Sequence, residues 1–304
     1  MNTARLTVVV LAAIFVGAIR ADGPSITRLT EDGLFKQRPV WSPDGQWLVF
    51  ARHRGATIFL YLRSADGKEE RRLTQTNDPE YDAVFSPDGK RLLFSFDKSS
   101  PNQGDIDIHI LDRETNTVTP VVKTEKQLSH EEWPSWSPDG EWFAFTSTRY
   151  GNQELCIARA TGKDETRLTT DPTIDAHPAW SPDGKRIAFA TDRWGDLEIA
   201  VIDRDGKNLR RITESRGLDD YPAWSPDGTK LAFTSNRDGN FEIYWIETGS
   251  GDFVGGKALR ATTNSGIDNF PTFSPSGELT FVSQSSSGFD IYRMRDFPRT
   301  AAAK

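Results

Sequence analysis

A five-residue pattern, W/F-S-P-D-G, recurs along the chain at nearly constant spacing. Five copies fit it fully and a sixth reads F-S-P-S-G; they begin at Trp41, Phe85, Trp136, Trp180, Trp224 and Phe273. Successive copies are 44, 51, 44, 44 and 49 residues apart. Repeats of this length indicate a fold assembled from copies of one supersecondary unit.

Each repeat has the pattern of four short strands. In the copy that begins at Trp224, Pro226, Asp227 and Gly228 supply the turn after the first strand, because these residues preset or tolerate turn backbone angles. Residues 230–234 and 241–246 follow as second and third strands, and residues 209–213 show the fourth strand of the preceding repeat. Four short strands per repeat of this length predict the blades of a β-propeller.

The fourth strand has its own signature, R-x-T, which lies 13 residues before the aromatic residue. Its arginines are Arg28, Arg72, Arg167, Arg211 and Arg260. The first copy precedes the first pentapeptide, and the last repeat ends after its third strand. We therefore expect an all-β, six-bladed β-propeller of residues 24–296, with four antiparallel strands per blade. Strand 26–30 should complete the C-terminal blade and close the ring, and residues 297–304 should form a flexible tail.

The first 21 residues differ from the repeats. Arg5 is followed by an almost wholly apolar run, residues 6–19, which is too short to span a bilayer. Small residues at Ala18 and Ala21 offer cleavage sites. This pattern predicts a signal peptide, residues 1–21, and a periplasmic or secreted protein that is not inserted in the membrane after cleavage. The alternative is that the segment is kept as an anchor.

Charge and cysteine content narrow the classes of function. The formal net charge is −7 and the pI is about 5.3, which argues against a nucleic-acid partner because binding phosphates needs a basic face. Cys156 is the single cysteine, so no intrachain disulfide forms.

The best repeats, residues 167–202 and 211–246, read R-L-T or R-I-T, then P-A-W-S-P-D-G, then A-F followed by a D-R or N-R turn and E-I. This unit resembles the propeller repeat of the TolB family, and it is also similar to the propellers of prolyl-oligopeptidase relatives. The resemblance implies a propeller-only, TolB-like protein without the N-terminal α/β domain of TolB. It implies a binding module in the cell envelope rather than an enzyme. The peptidase relatives need a hydrolase domain, and no G-x-S-x-G motif is present.

Ligands of propellers usually bind where the central channel opens between the loops of one face. Five residues before each aromatic residue, five of the six repeats carry an acid: Glu80, Glu131, Asp175, Asp219 and Asp268, with Lys36 in the first. A ring of carboxylates at the channel mouth would suit Ca²⁺; otherwise we expect no cofactor. The alternative is ion pairing, because the nearby hairpin turns carry bases in five repeats: Arg54, Lys98, Arg149, Arg193 and Arg237.

Three residues before the aromatic, the position is chemically diverse: Arg38, Asp82, Trp133, His177, Tyr221 and Phe270. Positions that face a ligand vary in repeat proteins, and aromatic side chains bind proteins, peptides and sugars. Trp133, His177, Tyr221 and Phe270, which lie on consecutive blades, could form an aromatic recognition crescent at the channel mouth. Alternatively, they plug the channel.

Catalysis has weaker support in the sequence. His130 and His177 lie on adjacent blades, and Glu131 and Asp175 are near them, but no metal-binding motif joins them. We therefore expect a monomeric, exported scaffold that binds an envelope protein or peptide. The alternative is a carbohydrate-binding or lyase-type propeller that uses the channel mouth.

Overall fold

The computed structural model describes residues 24–97, 105–123, 128–249 and 256–297. It contains six antiparallel sheets of four strands each, which confirms the predicted six-bladed propeller. The predicted signal peptide, Lys98 and residues 298–304 of the predicted tail lie outside the described residues. Within the described residues there is no helix long and apolar enough to cross a membrane.

Blades 1 to 3 follow one another along the chain. Blade 1 consists of β2 (Lys36–Trp41), β3 (Trp47–Arg54), β4 (Thr57–Ser64) and β5 (Glu70–Arg72). Blade 2 consists of β6 (Glu80–Phe85), β7 (Arg91–Asp97), β8 (Ile106–Asp112) and β9 (Thr117–Val122). Blade 3 consists of β10 (Glu131–Trp136), β11 (Trp142–Ser147), β12 (Glu154–Arg159) and β13 (Thr166–Arg167).

Blades 4 to 6 complete the ring. Blade 4 consists of β14 (Asp175–Trp180), β15 (Arg186–Thr191), β16 (Glu198–Asp203) and β17 (Arg210–Arg211). Blade 5 consists of β18 (Asp219–Trp224), β19 (Lys230–Ser235), β20 (Glu242–Glu247) and β21 (Leu259–Arg260). Blade 6 consists of β22 (Asp268–Phe273), β23 (Leu279–Ser285), β24 (Gly288–Met294) and the N-terminal β1 (Ile26–Arg28).

The N-terminal strand closes the ring as the repeat count predicts. In β1, Ile26 pairs with Met294 and Arg28 pairs with Tyr292 of β24. The strand ends two residues earlier than expected, although the amide of Leu29 still donates to the carbonyl of Ile291 over 2.7 Å. This pairing covers the outer edge of β24, which would otherwise expose unpaired backbone groups.

The R-x-T signature holds a buried carboxylate in the third strand. In blade 4, Arg211 Nη2 donates to Glu198 Oε1 over 3.0 Å, and Thr213 Oγ1 donates to Oε2 over 2.6 Å. The amide of Ile199 in turn donates to Thr213 Oγ1. The same arrangement joins Arg28 to Asp290, Arg167 to Glu154 and Arg260 to Glu242. These contacts fix outer strands that are only two or three residues long.

Blade 1 departs from this arrangement. Phe59 occupies the place of the third-strand acid, and the guanidinium of Arg72 lies 3.5 Å from the centre of its ring. A cation–π contact thus replaces the ion pair. Thr74 is left to donate to Glu80 of the next blade.

The pentapeptides join neighbouring blades on one face of the ring, here called the pentapeptide face. The D-G turn needs a positive φ, which is +69° at Gly184. A Cβ at Gly184 would lie 3.1 Å from Cγ of Pro138, the pentapeptide proline of the preceding blade. The same glycine-to-proline approach recurs at Gly45 with Pro275, Gly89 with Pro43, Gly140 with Pro87 and Gly228 with Pro182.

Hydrophobic side chains of the middle strands fill the space between sheets. At one repeat position each second strand carries a phenylalanine with at most 1% of its surface exposed: Phe50, Phe94, Phe145, Phe189, Phe233 and Phe281. Phe297, which the sequence analysis places in the tail, is also buried and lies 5.5 Å from the rings of Trp245 and Phe273. The propeller therefore includes this residue.

Candidate functional site at the channel mouth

All six inner strands bulge at the same place. The pairing register between the first and second strands shifts in every blade, for example between Glu132 and Ser135. Within each bulge one residue has a φ between 46° and 59°: Arg38, Asp82, Trp133, His177, Tyr221 and Phe270. Positive φ is uncommon outside glycine, and a bulge redirects the side chain that it carries. These six are the chemically diverse positions of the sequence analysis, and we call them the bulge residues.

Five bulge residues meet at the axis of the ring. The ring of His177 lies 4.2 Å from that of Trp133 and 4.4 Å from that of Tyr221. Tyr221 lies 4.6 Å from Phe270, and the guanidinium of Arg38 lies 5.2 Å from the ring of Trp133. The space left between them is about 50 Å³, which holds a few water molecules at most. The aromatic crescent is therefore a packed plug.

Asp82, the sixth bulge residue, and Arg38 connect the plug to the strands. Arg38 donates through Nη1 to the carbonyl of Asp82 over 3.2 Å and through Nη2 to the carbonyl of Pro134 over 2.7 Å. Burial lowers the pKa of Arg38 below its ordinary value. Burial also raises the pKa of Asp82 to about 7, against the opposing effect of the Arg38 charge. Arg38 thus links three blades across the axis.

A second layer of polar side chains lies next to the plug. It comes from the residues before the bulge residues, of which five are polar, Gln37, Tyr81, Glu132, Asp220 and Asn269, and the sixth is Ala176. His177 Nδ1 lies 2.5 Å from Asp220 Oδ1, and Tyr81 Oη donates to Glu132 Oε1 over 3.3 Å. Burial raises the pKa of Glu132. Sequence reasoning missed this layer, although the constant spacing that aligned the bulge residues also aligns their neighbours.

A largely apolar column of residues, here called the apolar rim, directly precedes the inner strands on the face opposite the pentapeptides. It lies six residues before each pentapeptide aromatic: Phe35, Pro79, His130, Ile174, Leu218 and Ile267. Ile174 and Leu218 expose 39% and 36% of their surface. Five of the six side chains are apolar, and this column was also missed. It was one residue away from the acidic column in the same alignment.

The acidic column lies in the junctions between blades. Arg149, Arg193 and Arg237 contact Glu131, Asp175 and Asp219 at 3.2, 2.5 and 2.6 Å. The five acids expose at most 1% of their surface, so they do not form an open ring at the mouth. The ion pairs join residues of one blade rather than two.

Two members of the column lack an arginine among the described residues. Glu80 accepts from Thr74, and Asn264 Nδ2 donates to Asp268 Oδ2 over 2.6 Å. Burial raises the pKa of Glu80 to about 7 and that of Asp268 to about 6. In blade 1, Lys36 Nζ lies 2.9 Å from Asp290 of blade 6.

Potential metal ligands are not gathered at the mouth. Within the described ranges, a set of three donors close enough to share an ion occurs only at Asp105, Asp107 and Glu131. The structure does not bring together the four candidate metal ligands that the sequence suggested, His130, His177, Glu131 and Asp175. His177 contacts Asp220, while Asp175 contacts Arg193. The described geometry thus supplies no His-based metal centre.

The fold and its plugged channel define the class: a six-bladed propeller whose axis is closed by packed side chains. The family model PD40, the TolB beta propeller domain, matches residues 100–213 and 177–295. These matches cover well over half of the chain, which therefore belongs to the TolB β-propeller family.

Several solved structures share the propeller fold. A putative TolB from Agrobacterium tumefaciens is 22% identical with a TM-score of 0.68, and the match covers 88% of this chain and 96% of that one. TolB from Acinetobacter baumannii is also 22% identical with a TM-score of 0.64, and the match covers 88% of this chain and 66% of that one. An oligogalacturonate lyase from Vibrio parahaemolyticus is 16% identical with a TM-score of 0.60, over 90% and 94% of the two chains. A comparison with curated proteins gives no match.

Proposed function

We propose that the chain is an exported scaffold of the cell envelope that binds a polypeptide segment of another protein at its channel mouth. The plug carries this proposal. Trp133 and Phe270 are 9% and 6% exposed, and they close the axis beneath the mouth. A partner would then rest on the mouth rather than enter the channel.

The chemistry of the mouth indicates what kind of segment fits. Ile174 and Leu218 offer apolar surface at the rim. Glu132 and Asp220 offer two carboxylates near the axis, next to the imidazoles of His130 and His177 respectively. A segment with apolar residues on either side of a lysine or arginine would bury apolar area and pair its charge.

The first test is site-directed photo-crosslinking in cells. A crosslinking residue at Ile174 or Leu218 should capture a discrete protein, and one at Lys185 on the pentapeptide face should not. Leu218→Asp should abolish capture from Ile174, because a charge in the rim opposes apolar contact. Equal capture from Lys185, or capture unaffected by Leu218→Asp, would rule out the mouth as the docking surface.

Export and assembly state are parts of the same proposal. The segment 1–21 should be removed, so mass spectrometry of the protein from the periplasm or medium should find a chain that begins after Ala18 or Ala21. Light scattering should give the mass of a monomer. An intact N terminus in a membrane fraction would show that the segment serves as an anchor.

A carbohydrate-active propeller is the second candidate. The contact of His177 with Asp220, beside Glu132 and Tyr81, favours it because such groups could exchange protons with a sugar. Incubation with oligogalacturonate, with and without Mn²⁺, tests this candidate through the ultraviolet absorbance of unsaturated products. Turnover that is lost in His177→Gln would replace the scaffold proposal.

A further inference from the structure

A groove lies where the ring closes, between blade 6 and blade 1, at the pentapeptide face. Its volume is about 510 Å³, which is within the range of ligand-sized sites. Leu48 and Trp41 line its apolar side, and Arg28, Arg63, Arg293 and Arg295 line its polar side. We call it the seam groove.

Blade 1 lacks an arginine that blades 2 and 4 have; blades 3 and 5 carry Ala160 and Thr248 there. Arg204 lies 5.6 Å from the ring of Trp180, and Arg113 lies 5.2 Å from the ring of Phe85, each within its own blade. The residue at this repeat position in blade 1 is Ala65.

Blade 6, which precedes blade 1 around the ring, also lacks an arginine over the ring of Trp41. At other junctions an arginine of the preceding blade lies over the pentapeptide aromatic, as Arg91 does over Trp136 at 5.0 Å and Arg186 over Trp224 at 5.8 Å. Because the turn of blade 6 is one residue shorter, the residue at this position in blade 6 is Glu278. Trp41 therefore has an open groove where other pentapeptide rings have a guanidinium.

The charges of the lining favour an anion. The lining contains four arginines and one carboxylate, Asp66; Arg28 and Arg63 also pair with Asp290 and Glu70, which lie outside the lining. Arg293 and Arg295 share one acid, Glu278, at 3.7 and 3.2 Å. Nε of Arg293 is buried and has no hydrogen-bond partner among the described residues. A buried donor of this kind is normally satisfied by an acceptor.

We propose that the seam groove binds the oxyanion of a small molecule, a phosphate or a carboxylate, whose apolar part rests against Leu48 and Trp41. Guanidinium groups bind both oxyanions in a bidentate geometry. Arg293 and Arg295 would supply that fork, and Arg63 would contact the anion from the opposite blade. The site lies on the other face from the channel mouth, so it does not depend on the proposed function.

Thermal unfolding of the purified protein tests the proposal, because a ligand that binds only the folded state raises Tm by mass action. The probes are sodium phosphate and sodium glucuronate, with sodium chloride at equal ionic strength and glucose as references. Phosphate or glucuronate should give a saturable rise in Tm. A response to one alone identifies which oxyanion the groove accepts.

Two variants localise the binding. Ala65→Arg places in the groove the side chain found in blades 2 and 4, and it should abolish the rise in Tm. Arg293→Gln/Arg295→Gln should weaken binding at least about tenfold, whereas Arg204→Gln, in a junction without the groove, should leave it unchanged. The proposal is overturned if neither probe exceeds the chloride reference, or if the rise persists in both groove variants.

Discussion

The junction between blades 4 and 5 and the junction between blades 6 and 1 use the same repeat positions with different charges. Between blades 4 and 5, burial raises the pKa of Glu198, and the neighbouring charge of Asp219 raises it further. Between blades 6 and 1, Lys36 takes the place of the inner-strand acid and binds Asp290 directly, with both side chains fully buried.

The chain connectivity explains the difference. Blade 4 continues into blade 5 through a loop, so two acids side by side are tolerated there. Blades 6 and 1 are held together by β1, which has three residues, and by contacts between side chains. Burial alone would raise the pKa of Asp290, but hydrogen bonds from Lys36, Thr30 and Arg28 hold it below its ordinary value. The junction without a connecting loop therefore has an ion pair whose two side chains are both fully buried.

Removing one charge at each junction should give the largest contrast. Asp290→Asn leaves the buried Lys36 without its buried partner and should lower the free energy of unfolding by about 3 kcal/mol. Glu198→Gln should cost only about 1 kcal/mol, because Arg211 is partly exposed and stays hydrated. Urea unfolding measures both, and equal losses would contradict the distinction.

The pH dependence of stability should separate the junctions as well. The raised pKa values of Asp268, about 6, and Glu80, about 7, mean that the folded state binds protons that the unfolded state releases. Stability should then fall by about 4 kcal/mol as pH rises from about 5 to about 8.

At the closing junction the sign is reversed. The pKa of Asp290 is lowered, so its contribution is present at neutral pH and is lost as pH falls through its folded-state value. Unfolding free energies measured across pH should peak near about pH 5. Asp268→Asn should flatten the alkaline limb and leave the acid limb unchanged; a stability that rises between pH 5 and 8 would be incompatible with this account.

Blade 1 tests whether the third-strand acid is needed. Phe59→Leu removes the ring beneath Arg72 and should destabilise the protein by about 1 kcal/mol, the value of one cation–π contact. Arg72→Gln removes the other partner of the same contact, so the two losses should not add. Additive losses in urea unfolding would show that the two side chains act separately.

Calcium should have the smallest effect. Arg193 and Arg237 already bind Asp175 and Asp219, so we expect about 1 mM CaCl₂ to leave Tm unchanged. A rise in Tm that EDTA reverses and that Asp219→Asn removes would instead show that the regular junctions bind a cation. Asp290→Asn is the control for this test.

The repeat pattern predicted the blades, their strand order and the closure, because these depend on turn residues and on the offset of R-x-T. It did not predict the bulges. In a strand that alternates regularly, only one of two adjacent residues would point to the axis. The bulge brings adjacent residues to the axis instead, as the contact of Asp220 with His177 shows. The register shift at the bulge is a property of the backbone, and the six different residue types at the bulge position do not indicate it.

The glycine-to-proline contact of the pentapeptide face has an evolutionary consequence. At five of the six joints a glycine of one repeat contacts the proline of the preceding repeat, with Gly277 of blade 6 as the exception, so these five joints are equivalent in their backbone contact. Duplication or loss of one unit of about 44 residues would leave matching joints on both sides. The glycine-to-proline contacts do not depend on the number of blades. The side chains that meet at the axis do, and they would have to change whenever the number of repeats changed.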